Sequence, residues 1–463
     1  MEQKSFRDKI ATVDESGKRV FLYPKKPKGP FYNKRKLVSY ILLAFFLSAP
    51  FIKIGGNPLL MFNVLERKFS IFGTLFFPHD FHIFALGFIL TAILLILFTV
   101  IFGRIFCGWL CPQTIFMEML FRRIEYAIDG DYIQQKKLKA APWNSEKIFK
   151  RSLKITLFYL ISFLIANVFL AYLIGSEELF KIIIDNPANH KSGLTLIMVF
   201  SLVFFGVFYK FREQVCTTVC PYGRLQGVLT DSNTLQVSYD HKRGEERTKY
   251  QPKKERVGGD CIDCGECVRV CPTGIDIRNG SQLECVNCTA CMDACDHIME
   301  KVGFEKGLIR ITSEKSINDK TPFKLTARSW AYISLMILLM IGMGITLQKR
   351  DKVEMDVINA RGSRYFVNED QTVQNIYNCK LVNKSQDTVD FKFDVEDYTD
   401  QIQLVGHDGQ SVVFPGQTID VTLIIKIPAA ELPERKNHVN IMLISKEEVL
   451  TKKEINFSGP SKR

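Results

Sequence analysis

The sequence contains few of the patterns that are typical of a cleaved signal peptide, a zinc site or a disulfide framework. Residues 1–36 are polar and basic, so the apolar segment that follows them is not expected to be a cleaved signal peptide. The cysteines are not arranged as the two separated pairs that zinc prefers. A disulfide framework is typical of small secreted domains, whereas this chain has 463 residues and long apolar segments. Zinc and disulfide readings are therefore disfavoured.

What the sequence does contain is a duplicated cysteine spacing. Each of two runs reads C-x2-C-x2-C-x3-C, the bacterial ferredoxin pattern that binds [4Fe–4S] clusters, and in two-cluster ferredoxins the fourth cysteine of each run ligates the other cluster. Pro272 follows the first run as in the bacterial pattern, whereas Asp296 follows the second. We therefore predict one cluster on Cys261, Cys264, Cys267 and Cys295, and a second on Cys271, Cys285, Cys288 and Cys291. This part of the chain is predicted to transfer electrons.

Five apolar stretches are predicted to span a membrane. A span needs about 20 mostly apolar residues. A buried core helix is the alternative for any one stretch, but five such stretches without polar faces disfavour it. They lie near Leu37–Ile52, Ile83–Phe102, Ile155–Ile174, Leu194–Tyr209 and Trp330–Leu347.

Basic residues predict the orientation of these spans. They are concentrated in residues 1–36, in the loop between the second and third spans and after Tyr209, and such segments remain in the cytoplasm. Five spans then place the tail from about Lys349 on the opposite side. Every cysteine except Cys379 falls on the reducing side or at its membrane edge. The net charge of +12 is explained by this topology and by anionic lipid, so no nucleic-acid partner is expected.

Two further cysteine pairs occur where the second and fourth spans end. Each has the pattern C-x3-C-P, with Cys107 and Cys111 before Pro112, and Cys216 and Cys220 before Pro221. Residues four apart lie on one face of a helix, and the repeat indicates an internal duplication. Four convergent thiolates could hold a third iron–sulfur centre or soft Cu(I), or act as a redox-active dithiol. Simple packing cysteines at helix ends are the plain alternative.

The tail changes to short alternating strands. Runs such as Ile419–Ile427, separated by turn signals such as Pro415-Gly416, favour an immunoglobulin-like β-sandwich without the Cys…Trp…Cys core of antibody domains. Cys379 is expected to be a small buried core residue. No catalytic constellation is visible in this tail.

The predicted fold is a multidomain membrane protein. An α-helical transmembrane bundle of five spans carries an inserted two-[4Fe–4S] ferredoxin-like α+β domain and ends in an all-β immunoglobulin-like sandwich. The predicted boundaries are a basic cytoplasmic arm 1–36, a four-span membrane domain 37–230, a basic linker 231–256, a ferredoxin domain 257–310, a fifth span 329–348 and the β-domain 350–463.

Taken together, these parts resemble the cytochrome c oxidase accessory proteins of the CcoG/FixG/RdxA type. The resemblance covers the whole chain and is carried by Cys107-Gly-Trp-Leu-Cys-Pro-Gln-Thr, Cys216-Thr-Thr-Val-Cys-Pro-Tyr-Gly-Arg and Cys285-Val-Asn-Cys-Thr-Ala-Cys-Met-Asp-Ala-Cys-Asp. It implies reduction of Cu(II) to Cu(I) during maturation of a cbb3-type oxidase, in the bacterial inner membrane. Copper ion as substrate, the oxidase and its assembly factors are the implied partners; the electron donor is not implied.

Two other functions remain open from the sequence. One is a quinol-linked electron relay to a periplasmic reductase, because membrane polyferredoxins with C-x3-C-P motifs also occur in nitrate and nitrous oxide systems. The other is an assembly scaffold whose clusters sense redox state.

Overall fold

The computed structural model divides the chain into two compact units. Unit 1 comprises Met1–Ala49, Phe84–Ala171 and Ser176–Gly342, and unit 2 comprises Pro50–Ile83, Tyr172–Gly175 and Met343–Arg463. The structure describes residues 12–460 except 14–15, 17, 65–67, 78–79, 187, 252–257, 349, 361, 363–364, 386, 397, 399–401, 406–411, 433 and 446–447.

Helices form most of unit 1. The α-helices are α1 (Pro30–Ser48), α2 (Phe81–Phe102), α3 (Ile105–Trp109), α4 (Pro112–Ile115), α5 (Arg122–Ile128), α6 (Tyr132–Ala140), α7 (Ser145–Ile174), α8 (Ser176–Ile184), α9 (Lys191–Gly206), α10 (Pro221–Leu229), α11 (His241–Gly244), α12 (Glu266–Arg269), α13 (Ala290–Val302), α14 (Glu314–Asp319) and α15 (Ala327–Gln348). Short π-helical segments cover Phe116–Phe121, Val207–Phe211 and Val215–Val219, and short 3-10 helices cover Ile277–Asn279 and Ala429–Glu431.

Four helices in the described part of the chain are long and apolar enough to cross a membrane. They are Phe81–Phe102, Ser145–Ile174, Lys191–Phe211 and Ala327–Gln348. None of the window of Ala327–Gln348 is buried within the protein, so its apolar side chains need another apolar medium, as a lipid bilayer supplies. The prediction of an α-helical membrane bundle is therefore confirmed.

The first of the five predicted spans differs from the expectation. Leu37–Ile52 was expected to cross, but α1 begins at Pro30 and ends at Ser48, and its first two turns contain Lys34, Arg35 and Lys36. The uncharged part, 37–48, is shorter than the roughly 20 residues that a span needs. The structure therefore has four helices of spanning character among its described residues, not five.

The cysteine-rich part of unit 1 is a small α+β domain. Strand β6 (Gln236–Tyr239) pairs antiparallel with β7 (Ile309–Thr312), and α12 and α13 lie between them in the chain. Helix α13 ends at Val302 and is capped by Gly303, whose φ of +77° suits a glycine C-cap. The segment 231–256 was predicted to be a linker, and the structure differs because β6 lies within it; part of that segment, 252–256, lies outside the described residues.

Unit 2 contains short strands and a β-sandwich. The short strands are β1 (Lys53–Ile54), β2 (Asn57–Pro58), β3 (Leu60–Asn63), β4 (Lys68–Ile71) and β5 (Thr74–Phe76). The sandwich strands are β8 (Val353–Asn359), β9 (Phe366–Val367), β10 (Thr372–Asn383), β11 (Val389–Asp390), β12 (Lys392–Val395), β13 (Ile402–Val405), β14 (Val412–Val413), β15 (Thr418–Pro428), β16 (Lys436–Ser445) and β17 (Glu448–Ser458).

The sandwich core follows from alternation along these strands. One sheet has the order β13-β15-β10-β8 with β9 beside β10, and the other has the order β12-β16-β17. Every second residue of β15 from Val421 to Ile427 is buried, as period-two side-chain direction requires when one face of a sheet is covered. Cys379 is 1% exposed in β10, which confirms its predicted place in the core.

Candidate iron–sulfur site

The eight ferredoxin-type cysteines surround two separate cavities in unit 1. One cavity is lined by Cys261, Cys264, Cys267 and Cys295. The other is lined by Cys271, Cys285, Cys288 and Cys291, and Cys267 lines both cavities. The fourth cysteine of each run therefore lies with the first three of the other run, which is the grouping that ferredoxin connectivity requires.

The two runs have the same backbone fold. Asp263 and Asn287 occupy the same position in their runs and have φ of +50° and +52°, and Gly265 and Thr289 likewise have φ of +70° and +64°. These left-handed residues turn the chain around each cavity and lead into α12 and α13. A β-branched residue rarely adopts this conformation, so Thr289 shows that the loop geometry overrides local preference.

Burial disfavours the charged thiolate form of these cysteines when no metal is bound. It raises the pKa of Cys267 and of Cys285 to about 12, and it also raises the pKa of Cys291 and of Cys295. A thiolate in such a cavity needs a compensating cation, which bound iron supplies. All thirteen cysteines are free of disulfides. The donor set therefore fits iron–sulfur clusters.

The same thiols do not form a single-ion site. Among the described residues, no three His, Cys, Asp or Glu side chains converge closely enough to hold one metal ion. A zinc ion would need four ligands within about 2.3 Å of one point. Thiols spread around a cavity suit the larger iron–sulfur cubane better than a lone ion.

The two C-x3-C-P motifs also have a common local structure. Cys111 and Cys220 are extended N-cap residues, with ψ of 124° and 113°, and each precedes a proline in the first turn of a helix. Proline is well suited to that position because the first helical N–H has no partner within the helix. π-Helical segments lie at Phe116–Phe121 and Val215–Val219, and such segments are frequent at functional sites.

These four thiols gather in one region. Burial raises the pKa of Cys216 to about 12, and the nearby Cys111, Cys107 and Cys220 raise it further by their negative charge. Burial likewise raises the pKa of Cys107. The Cys107 thiol lies 3.2 Å from Oε1 of Gln226, which accepts a 2.8 Å hydrogen bond from Nε of Arg104.

The C-x3-C-P region packs against the second cysteine set. Cys107 lies in one apolar cluster with Val286, Cys288 and Ala290. A Cβ atom on Gly108 would lie 2.3 Å from the carbonyl oxygen of Val286, so only glycine allows this approach. Cys216 shares a small cavity with Pro272, Thr273 and Val286. Both motifs thus adjoin the loops that bear Cys271 and Cys285.

A buried ion-pair network adjoins Cys216. Glu118, Arg212 and Glu213 line the same cavity as that thiol. The network continues through ion pairs that are buried from water, namely Arg122–Glu118 at 2.7 Å, Arg122–Glu213 at 3.4 Å, Arg212–Glu125 at 2.5 Å, Lys154–Glu125 at 3.5 Å and Lys154–Asp129. Each charge has an opposite charge beside it, as buried charges require.

Several residues around the site carried no sequence signal. Arg35, 2% exposed, donates to the carbonyl oxygen of Gly108 at 2.7 Å, and Asn287 accepts from the Val237 amide at 3.2 Å. Gln226 is fully buried. The glycine inside C-G-W-L-C was the one visible hint, because a glycine at such a place often marks close backbone approach.

Three family models match the chain. Residues 211–314 match a 4Fe-4S dicluster domain, residues 84–136 match a 4Fe-4S binding domain, and residues 343–460 match the IG-like fold at the C-terminal of FixG. The second match contains Cys107 and Cys111.

Three relatives match the sequence over most of its length. Protein RdxA of Cereibacter sphaeroides is 32% identical over 393 residues, covering 82% of this chain and 82% of the relative. The chain belongs to the FixG/RdxA family. Protein RdxB of the same organism is 32% identical over 419 residues, covering 86% and 87%. The nitrogen fixation protein FixG of Rhizobium meliloti is 30% identical over 408 residues, covering 79% and 77%.

One solved structure also matches this FixG/RdxA-family chain. It is the crystal structure of a FixG-related protein from Vibrio parahaemolyticus, with a TM-score of 0.20 and 22% identity, covering 24% of this chain and 97% of that one. The family membership, the two 4Fe-4S domain matches and the spanning helices identify the protein as a membrane-bound iron–sulfur electron-transfer protein.

Proposed function

We propose that this FixG/RdxA-family protein is a cupric reductase, which passes single electrons from two [4Fe–4S] clusters to Cu(II). The clusters would be held by the two cysteine sets described above. Cubane clusters exchange one electron at a time, and Cu(II)/Cu(I) is a one-electron couple. The observation that supports this proposal most directly is the contact between the first C-x3-C-P motif and the second cysteine loop, where Gly108 packs against Val286.

The C-x3-C-P thiols are the proposed copper site. Sulfur donors suit Cu(I) better than Cu(II), so a thiol site favours the reduced product. Because no three of the described thiols converge on one point, Cu(I) would be held by a pair of them, which its two-coordinate chemistry allows. The burial of Cys107 beside Cys288 keeps the distance for electron transfer short. A third iron–sulfur centre on the same thiols is the alternative, and an iron count separates the two: about eight iron atoms per chain indicates two cubanes, and about twelve indicates three.

The proposed role of the reductase is to supply Cu(I) to a cbb3-type oxidase in the bacterial inner membrane. We infer that the N-terminus and the ferredoxin domain are cytoplasmic and that unit 2 is periplasmic. The basic residues that flank the helices support this orientation. The segments grouped in unit 2, namely 50–83, 172–175 and 343–463, are also those that five crossings would leave on one side. The four helices of spanning character supply four of these crossings, and the proposal requires the shorter apolar part of α1, 37–48, to supply the fifth. Protease applied to the periplasmic side should spare the cysteine-rich domain and cut unit 2.

The test uses anaerobic, dithionite-reduced protein freed of excess reductant. Cu(II) is added with a Cu(I)-specific chelator, and about one Cu(I) per reduced cluster is expected. Cys107→Ala and Cys216→Ala should abolish most of this yield while keeping the clusters visible by electron paramagnetic resonance. Cys379→Ala, in the β-sandwich core of unit 2, is the matched control. A full yield from both C-x3-C-P variants would refute the copper site.

A further inference from the structure

A cavity of about 320 Å³ opens beside Cys285 in unit 1, and neither the clusters nor the copper site accounts for it. Its walls are mostly polar. They come from the end of α2, the end of α10, the start of α14 and the loop that leads into the second cysteine run, with Arg104, Thr230, Asp231, Gln236, Ser281 and Glu314 among the lining residues.

The cavity touches the proposed electron-transfer chain directly. Cys285 lines it, so a molecule bound there would adjoin a ligand of the second cluster. Arg104, 6% exposed, lies at the boundary. It donates to the carbonyl oxygen of Leu283 and to Gln226, whose Oε1 also lies 3.2 Å from the Cys107 thiol.

The charges of the walls disfavour a phosphorylated ligand. Of the lining residues in the described part of the chain, Arg104 alone is cationic, and both Asp231 and Glu314 are acidic. A nucleotide or flavin phosphate would need backbone amides or several cations. Hydroxyl, amide and carboxylate groups instead suit a neutral ring that carries both hydrogen-bond donors and acceptors.

The cavity lies near the end of a membrane helix and near exposed apolar side chains. Arg104 follows the last residue of α2, Phe102, by two positions. Leu283 lines the cavity and is 59% exposed. Leu225 and Val228, which are 49% and 80% exposed, lie on α10 on either side of Gly227, another lining residue. Exposed apolar side chains next to a spanning helix indicate contact with lipid. A ligand dissolved in the bilayer could therefore reach the cavity.

We propose that this cavity binds the head group of a membrane quinol, which is the electron donor of the protein. The inference rests on the proposed function, because that function supplies the acceptor. Each quinol would lose two electrons and two protons and leave as the quinone. One electron would go to each of the two [4Fe–4S] clusters held by the cysteine sets, and the two protons would pass to the Asp231 and Glu314 carboxylates and then to water.

Binding is tested without reference to activity. A photoreactive azidonaphthoquinone is added to the purified full-length protein in detergent, and the labelled peptides are identified by mass spectrometry. Label is expected between Thr230 and Gln236 or between Ser281 and Cys285, and excess dimethylnaphthoquinone should displace it. Label spread over the spanning helices, or label that does not compete, would overturn the proposal.

Variants that fill the cavity test the assignment. Ser281→Phe should lower the labelling about tenfold, a loss of roughly 1.4 kcal/mol of binding. Asn279→Phe adds the same ring two residues away, at an exposed position outside the cavity, and should keep wild-type labelling. If Ser281→Phe loses its clusters, Thr230→Leu fills the cavity from another lining position. Equal labelling in a well-folded filling variant and in Asn279→Phe contradicts the proposal.

The donor is then tested by reduction. Anaerobic dimethylnaphthoquinol should give the electron paramagnetic resonance signal of reduced clusters in the wild type, and about tenfold more slowly in Ser281→Phe. Reduction by a pyridine nucleotide or a flavoprotein but not by the quinol would overturn the inference. Copper reduction by dithionite-treated wild-type protein measures the proposed function separately, so failure of either idea is recognised on its own.

Discussion

Gly108 and Val286 approach each other so closely that a Cβ atom on Gly108 would lie 2.3 Å from the Val286 carbonyl oxygen. Gly108 belongs to the first C-x3-C-P motif and Val286 to the second cysteine run. The contact joins the proposed copper site to the proposed second cluster through backbone atoms, which cannot rotate out of the way as a side chain could.

Gly108→Ala should therefore separate the two parts of the electron path. The added methyl group collides with backbone, so the loop must move. We expect the iron content to stay near that of the wild type and the rate of Cu(II) reduction to fall about tenfold or more, measured by stopped-flow with a Cu(I)-specific chelator. Gly206→Ala is the control, because no atom lies within 4 Å of a Cβ at that position. An unchanged rate in Gly108→Ala would show that the contact is not on the path.

Cysteine variants test the crossed grouping of ligands. Cys271 belongs to the first run in sequence but lines the cavity of the second set, so Cys271→Ser and Cys285→Ser should impair the same cluster. Iron should fall from about eight to about four atoms per chain in each single variant and no further in the double variant. Cys271→Ser combined with Cys261→Ser should remove both clusters. An additive loss in the first pair would contradict the grouping.

Gly265 should tolerate asparagine better than alanine. Its φ is +70°, and no atom lies within 4 Å of a Cβ placed there, so a substitution meets only backbone strain. Alanine should cost about 1 kcal/mol in this conformation. Asparagine, which adopts it more readily, should cost clearly less, as Asn287 with φ of +52° in the matching loop indicates. The measurement is the urea midpoint for loss of cluster absorbance under anaerobic conditions. Equal shifts in both variants would show that strain is not the cause.

Local spacing made the two cysteine sets predictable, and long-range packing made their surroundings unpredictable. Each ferredoxin run determines the conformation of its own loop through residues that are only a few positions apart. By contrast, Arg104 and Gln226 are 122 positions apart, and their types gave no hint that they meet beside Cys107. Strand β6 was missed because it has four residues and its partner β7 lies beyond both cysteine runs.

The boundary of α1 shows the same limit for membrane helices. Charge predicted that Arg35 would lie before the first apolar helix, in the basic arm 1–36. In the structure Arg35 is buried in the helix and bonds to the Gly108 carbonyl. The hydrogen bond to the Gly108 carbonyl takes the place of water at the Arg35 guanidinium. Gly108 is 73 residues away in the chain, so composition could not predict this contact.

The ion-pair network beside Cys216 predicts a strong effect of a single neutral substitution. Burial alone would raise the pKa of Glu125, but Arg212, Lys154 and Arg122 overcome it and hold that pKa below its ordinary value of 4.5. Glu125→Gln leaves the buried Arg212 guanidinium without its 2.5 Å partner. Breaking a buried pair in this way should cost about 3 kcal/mol of folding free energy, measured as a lowered urea midpoint.

The pH dependence of the same variant distinguishes lost charge from lost shape. Because the folded pKa of Glu125 is lowered, its pairing stabilises the wild type fully above the ordinary glutamate pKa of 4.5. That contribution is lost as the pH falls from this value through the folded pKa. The difference in midpoint between wild type and Glu125→Gln should therefore shrink on acidification below about pH 4.5. Glu146→Gln, in an exposed pair with Lys150, should show little change at any pH. A constant difference for Glu125→Gln down to the lowest accessible pH would mean that altered packing, not charge, destabilises the variant.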